Sequence, residues 1–468
     1  MTLADSQDES LLSSQKDCTA LRCTSITIFF GVTLLFGCLS SLTAQSVAKG
    51  KVFEVTSHGS AASAKLALSI AESTVAPAQK VFGRPRKKRK DRLKLHVFPS
   101  TIGFTQAVAK LPETVDSANL VSYASPKLAA AYVTVHPQSS VQALEELILP
   151  GPTARRVAHE AVRIYCYANL ANHAALPVWL IEGAASTIAQ DTLSARRMGL
   201  KDLCQDPFTA TQIGVVIGLS KAGKLPTVGS VLGGRVNELS PSEQDAVHAV
   251  LFRYLWDGKH KSGFKQILKK AGTLQASPDL TRKLTRYAGT TLKVERVDTD
   301  FKAWLTDMSP TWIEVIPTLF SYKGDWVAAA YKNLNSVAWQ RQAIGRKSWS
   351  LQGSFTIYDG PEKQLNLLLG RGPTGFLSIA LDADFGATAF RFDSLTSKWS
   401  EIVSRELEGI KVAQSHAFVL SINGPNLVLS IDGEEVLSTA VEGVDLSGAW
   451  GLGAQAGSTG VWQKIVVK

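Results

Sequence analysis

The order of apolar and polar positions divides the chain into two regions of different character. Residues 51–56 read as a strand, and residues 61–81 as a helix with Leu66, Leu68, Ile70 and Val75 at helical spacing. Residues 93–98 alternate apolar with polar as a half-buried strand does, 104–111 form a short helix, and 129–135 give another strand. A strong helix is expected over 154–172, and a second opens at 177–188. Others follow at 241–256 and 264–271, and Phe301 with Trp304 and Leu305 closes the region. Strands early and helices late predict an α+β domain over residues 47–308.

From Trp349 onward the runs are short and β-rich: 353–358, 365–369, 375–380, 387–392, 417–422, 427–431 and 461–467. Turns such as Asn423-Gly424 and Asp432-Gly433 separate them, which predicts an all-β sandwich over residues 349–468. Residues 309–348, with Trp312, Trp326 and Trp339, are either a linker or the first strands of that sandwich.

Composition adds that the chain folds. At 468 residues, 45% hydrophobic and 19% charged, it has length for two or three cores and too little charge for a disordered chain. Residues 1–25 are polar, and 26–46 read as a signal peptide or membrane anchor, uncharged through Ala44 and ending in the small residues of Ala44-Gln45-Ser46. Asp5, Asp8, Glu9 and Asp17 outnumber Lys16 and Arg22 ahead of it, against the basic start of an ordinary signal. A downstream start, an uncleaved anchor, or a loose lipobox at Leu35-Phe-Gly-Cys38 would each account for this. In each case an exported protein is expected, at a periplasmic, extracellular or membrane-anchored position, with membrane contact through residues 26–44 where they are an uncleaved anchor.

Cys18, Cys23 and Cys38 belong to this leader, which leaves Cys166 and Cys204 in the body, either paired or as free thiols. The net charge of +10 has a local concentration in residues 84–94. That run reads as a solvated loop. No aromatic residues are interleaved with it to stack on bases, so no nucleic-acid partner is expected.

The candidate chemistry lies in His159-Glu160-Ala-Val-Arg163, within the strong helix, and in Glu182, eighteen residues beyond Arg163. Residues four apart share a helix face, so a His-Glu-x-x-His pair can hold one metal ion while the glutamate between them takes a proton from metal-bound water. His-Glu-x-x-His, eighteen residues, then Glu is the pattern of gluzincin metallopeptidases related to aminopeptidase N. The stretch Leu176-Pro-Val-Trp-Leu-Ile-Glu182-Gly-Ala-Ala resembles their peptidase MA-like branch, and the likeness spans about residues 51–306. It implies His159 and Glu182 as zinc ligands and Glu160 as general base.

Arg163 stands where the second histidine ligand belongs. It is a permanent cation with five donors and no lone pair, so it cannot bind zinc, and it would pair with Glu182 or Glu160 instead. The zinc cofactor is therefore expected only if the site is active, and the arginine argues that there is none. His173 or His136 would be the substitute ligands.

Gly448-Ala-Trp-Gly-Leu-Gly and Val461-Trp-Gln-Lys-Ile are similar to the closing strands of concanavalin-like and laminin-G-like jelly rolls, which implies a carbohydrate- or protein-binding face. Asp382 and Asp384 fit a turn better than a glycosidase pair. The functional expectation is an exported, catalytically inactive metallopeptidase-like protein whose partner is a peptide, a protein or a cell-surface polysaccharide. The alternatives are an active zinc peptidase with a non-standard second ligand, and a carbohydrate-binding protein acting through its sandwich.

Overall fold

A computed structural model describes residues 45–84, 91–115, 120–134, 151–170, 172–194, 199–200, 203–313, 319–322, 325–329, 335–407 and 409–468. The apolar run 26–44, residues 85–90 of the basic run and His136 lie outside them. The first region begins β1 (Ser46–Lys49), β2 (Phe53–Ser57), α1 (Ala61–Phe82), β3 (Leu93–Phe98), α2 (Thr101–Val108), β4 (Ser122–Ser125) and β5 (Ala130–Thr134). It continues as helices α3 (Gly151–Asn169), α4 (Val178–Leu193), α5 (Pro207–Lys221), α6 (Val228–Leu232), α7 (Pro241–Asp257), α8 (Lys261–Thr273), α9 (Leu280–Leu292) and α10 (Val294–Asp307). Ser46, the last residue of the 26–46 segment, is already in β1 and pairs with Ser57.

The five strands form a mixed sheet in the order β1-β2-β3-β5-β4, with β2, β3 and β5 parallel. Strand alternation sends Phe53, Val55, Leu93, Leu95, Val97, Ala131 and Val133 to one face, where all are essentially buried. Against that face lie Ala67, Ile70 and Ala71 of α1 and Val157, Ala158 and Ala161 of α3, in one continuous core. Each large apolar side chain buried there contributes roughly 1.5–3 kcal/mol.

The helices start where polar caps allow. The Ser60 hydroxyl accepts the Ser63 N–H ahead of α1. Ser240 and Glu243 form a reciprocal capping box ahead of α7, with Pro241 in its first turn. Between α4 and α7 the approach is so close that a Cβ on Gly183 would lie 2.6 Å from the His248 carbonyl oxygen and from the Phe252 Cβ. This glycine directly follows Glu182, so the contact that demands it also fixes where Glu182 stands.

The second region is an all-β sandwich of two antiparallel sheets. Its strands are β6 (Trp312–Ile313), β7 (Leu319–Tyr322), β8 (Asp325–Ala329), β9 (Ser336–Gln340), β10 (Ser348–Ile357), β11 (Gln364–Gly372) and β12 (Gly375–Asp382). They continue with β13 (Gly386–Asp393), β14 (Lys398–Arg405), β15 (Ser415–Asn423), β16 (Asn426–Ile431), β17 (Glu434–Ala440), β18 (Ala449–Ala454) and β19 (Thr459–Val467). One sheet runs β17-β16-β15-β10-β19-β8-β7, the other β14-β13-β12-β11-β18-β9-β6. Segments within 309–348 thus supply strands to both sheets, and Trp312 packs 4.4 Å from Trp326 between them.

Alternation sets the sandwich core. On β15, His416, Phe418, Leu420 and Ile422 point in and their neighbours point out. Asp432 and Gly433, both at positive φ, make the two-residue turn that joins β16 to β17. Asp382 closes the turn before β13, its carboxylate accepting the backbone N–H groups of Asp384 and Phe385. The two regions touch through the Thr311 N–H, which donates to the Cys204 carbonyl at 2.9 Å, and through Ala210 of α5, which packs into the sandwich core. Among the described residues no helix is long and apolar enough to cross a membrane.

Candidate functional sites

Helical spacing places His159, Glu160 and Arg163 of α3 toward α4, and the short loop between the two helices returns Glu182 to meet them. The His159 Nε2 lies 3.3 Å from one Glu182 carboxylate oxygen, and the Arg163 Nε lies 3.1 Å from the other, as an ion pair without hydrogen-bond alignment. An Arg163 terminal nitrogen donates to both oxygens of Glu160, at 3.0 and 3.2 Å. The Ser122 hydroxyl of β4 donates to the same carboxylate at 2.9 Å. Beneath the guanidinium lies the Tyr167 ring, 5.9 Å from its centre, one helical turn further along α3.

Glu160 is buried, and burial alone would raise its pKa. The Arg163 guanidinium, His159 and Ser122 outweigh that and hold it at about 2. Arg163 is likewise disfavoured by burial, and the two carboxylates more than offset this, so its pKa is raised and it is a fixed cation. Beside the cluster opens a cavity of about 330 Å³ lined by Ser122, Arg155, His159, Ser186 and Asp245. Burial and then the nearby Glu182 raise the pKa of Asp245.

A catalytic zinc site needs three lone-pair donors converging on one point, with a fourth position open. Here the guanidinium bridges the two carboxylates and offers no lone pair, so these residues do not fit zinc. His173 does not make up the set. It lies in the turn His173–Ala175, where its Nδ1 is 2.9 Å from the Leu170 carbonyl oxygen and its ring packs on Tyr167. Among the described residues, no three or more His, Cys, Asp or Glu are placed to hold a metal ion. Cys166 is buried, with its thiol pKa pushed up by burial, and both it and Cys204 are free. Trp179 is core, its indole N–H donating to the Leu232 carbonyl.

A second arrangement occupies the outer face of the sheet that contains β11 and β12. On these strands Leu365, Leu367, Leu369, Leu377, Ile379 and Leu381 fill the sandwich core, so Asn366, Leu368, Phe376 and Ser378 face outward. Register sets Phe376 opposite Phe392, and Phe392 opposite Trp399. The rings continue as a row: Trp399 to Phe392 at 5.0 Å, Phe392 to Phe376 at 5.2 Å, and Phe376 to Trp339 at 5.2 Å. Gly451 leaves room for Trp339, since a Cβ there would lie 3.0 Å from the indole ring.

Beside this row is a cleft of about 80 Å³ lined by Asn366, Ser378, Phe376, Trp339 and Trp399 over the bare backbone of Gly453. The Asn366 side-chain oxygen accepts from Gln364 at 2.8 Å and from the Ser378 hydroxyl at 3.4 Å. The indole N–H of Trp399 is buried with no acceptor among the described residues. Sequence reasoning did not single out Ser122, Tyr167 or this aromatic row. The row's signal is the outward parity of Phe376, Phe390 and Phe392 against core positions of the opposite parity, which reads as mere β-richness until the register is known.

No protein-family model matches the chain, and no curated protein does. Among solved structures, a carbohydrate-binding module, CBM66, from Bacillus subtilis is similar at 17% identity and a TM-score of 0.30, over 35% of this chain and 97% of that one. The metal-free carbohydrate recognition domain of Emp46p is 15% identical with a TM-score of 0.27, over 34% of this chain and 87% of its own. The Ca2+/Man2-bound exoplasmic/lumenal domain of VIP36 is 12% identical with a TM-score of 0.26, over 34% and 82%. None of these likenesses carries a residue's role to this chain.

Proposed function

We propose that this chain is a glycan-binding protein whose ligand lies on the outer sheet face along Trp399, Phe376 and Trp339, with Asn366 and Ser378 beside it. The observation that carries this is the pairing of an aromatic row with polar groups in one cleft. A sugar ring presents flat C–H faces and a rim of hydroxyls. The half-buried rings of Phe376 and Trp399, with the edge of the more buried Trp339, take the first, and a few positioned polar groups fix the second. The Trp399 indole N–H is buried without an acceptor among the described residues, so a small shift of its ring would offer it to such a hydroxyl. Read as a signal peptide or membrane anchor, segment 26–46 supports a position outside the cytoplasm, where polysaccharide is met, and cell fractionation tests that point.

The test is retention of the whole chain on a panel of insoluble polysaccharides. At least one should retain it, and Trp399→Ala or Asn366→Ala should each weaken retention by about tenfold, equivalent to about 1.4 kcal/mol, with the melting temperature little changed. Equal retention of the variants, or no retention on any member of the panel, removes the reading.

A second reading concerns the helical region, and the Arg163 guanidinium between two carboxylates favours it. It is a gluzincin-like body in which an ion pair fills the metal position, so that it serves as a scaffold and does not catalyse. Zinc content after dialysis tests this. The natural protein should hold none, and Arg163→His should hold one equivalent. Zinc in the natural protein that Glu182→Ala releases would overturn the closed site, and absence of zinc from both would overturn the gluzincin-like assignment.

A further inference from the structure

A larger cavity lies elsewhere, nearly two helical turns beyond Arg163 along α3, where the end of α1 meets α8. Its volume is about 590 Å³, within the range of small-molecule sites. Five cations line it: Lys80 and Arg84 at the end of α1, and Lys261, Lys265 and Lys269 along one face of α8. Among the described residues no carboxylate lines it, and none pairs with any of the five. Its floor is apolar, formed by the nearly buried Leu170, Trp256 and Leu268.

Helix electrostatics account for only part of this charge. Lys80 lies in the last turn of α1, where a cation offsets the negative helix end. Lys261 and Lys265 lie in the first two turns of α8, where the helix end is itself positive and a cation is unfavourable. The three lysines of α8 also follow one another at four-residue spacing, and like charges at that spacing repel along the helix. The arrangement therefore works against the stability of α8, and an anion in the cavity would relieve it.

We propose that this cavity binds a soluble organic polyanion, one that carries two or more phosphate or carboxylate groups and a ring or apolar face to lie against Trp256. The lysines and Arg84 neutralise the anionic groups, and the floor accepts the ring. The site is separate from the sandwich cleft and stands whether or not that cleft binds glycan.

Calorimetry on the whole chain at physiological ionic strength tests it, with ATP as a polyanion bearing a ring and tripolyphosphate as one without. One equivalent of ATP should bind, and more tightly than tripolyphosphate. Lys261→Glu combined with Lys265→Glu should weaken both by at least about tenfold, while Trp256→Leu should weaken ATP alone. Should the charge reversal disturb folding, Lys265→Gln with Lys269→Gln, both exposed, gives the same comparison by a milder change. The proposal is overturned if neither probe binds, if binding is indifferent to the lysine variants, or if the protein ignores both probes and binds only phosphatidylglycerol vesicles, which would make this a membrane-facing surface.

Discussion

At the scale of single residues, burial of ionisable groups decides how the protein answers to pH. Burial lowers the pKa of His248 to about 4. In His96, burial, then the neighbouring His58 and Lys94, lower it to about 4 as well. Both stay neutral in the folded state while the unfolded chain takes up their protons near 6.5. The unfolded state therefore binds more protons between about pH 6.5 and pH 4, and stability falls as the pH is lowered through that window. For His248 the loss is roughly 3 kcal/mol, at 1.36 kcal/mol per pKa unit. Glu160 adds a later step. Its folded pKa is depressed, so its contribution is complete above the ordinary value of 4.5 and is lost as the pH falls toward about 2. Denaturant melts from pH 7 to pH 4 should show the first decline, and His248→Leu should flatten it. An unchanged slope in that variant would assign the decline to other groups. The spacing of His159 and Arg163 is legible in the sequence because it is helix geometry, which is local. Ser122 is not legible, because it reaches Glu160 only when β4 is laid beside α3.

At the scale of elements, the strongly periodic segments are the legible ones. The strand at residues 93–98 has the same limits in sequence and structure, and α1 and α7 each differ by a single residue at one end. α3 stops at Asn169, short of the expected 172, because Asn172 is drawn off to donate to the Ala271 and Leu274 carbonyls at the end of α8. α5 is missed because Gly214 and Gly218 lower its helix propensity. α9 hides in a threonine- and arginine-rich sequence, although Leu280, Leu284, Ala288 and Leu292 bury one face at four-residue spacing. The element contact most open to test is α4 on α7. Gly183→Ala forces a methyl group against the His248 carbonyl and Phe252, and should cost about 1–3 kcal/mol with a lowered melting temperature. A neutral effect would mean that these helices separate readily.

At the scale of the whole molecule, the described residues form two large cores, one under the helices and one between the sheets, and a small cluster of Phe98, Phe104 and Val108. The sandwich does not begin at residue 349: β8 pairs with β19, β9 with β18, and β6 with β9. A fragment of residues 349–468 would lose these strands, uncover β18 and β19, and remove Trp339 from the cleft. It should aggregate or melt well below a fragment begun at residue 309, as light scattering and thermal melts would show, and equal stability would mean that β6 to β9 are dispensable. The sequence by itself determined what local periodicity encodes. It divided an α+β body from an all-β region and placed the helix face with His159, Glu160 and Arg163, because helix and strand periods are properties of neighbouring residues. Tertiary structure alone decided the rest. Whether residues 309–348 are linker or strand, which outward rings align across four strands, and which lysines share a cavity all depend on register and packing between segments far apart in the chain, and no local pattern records them.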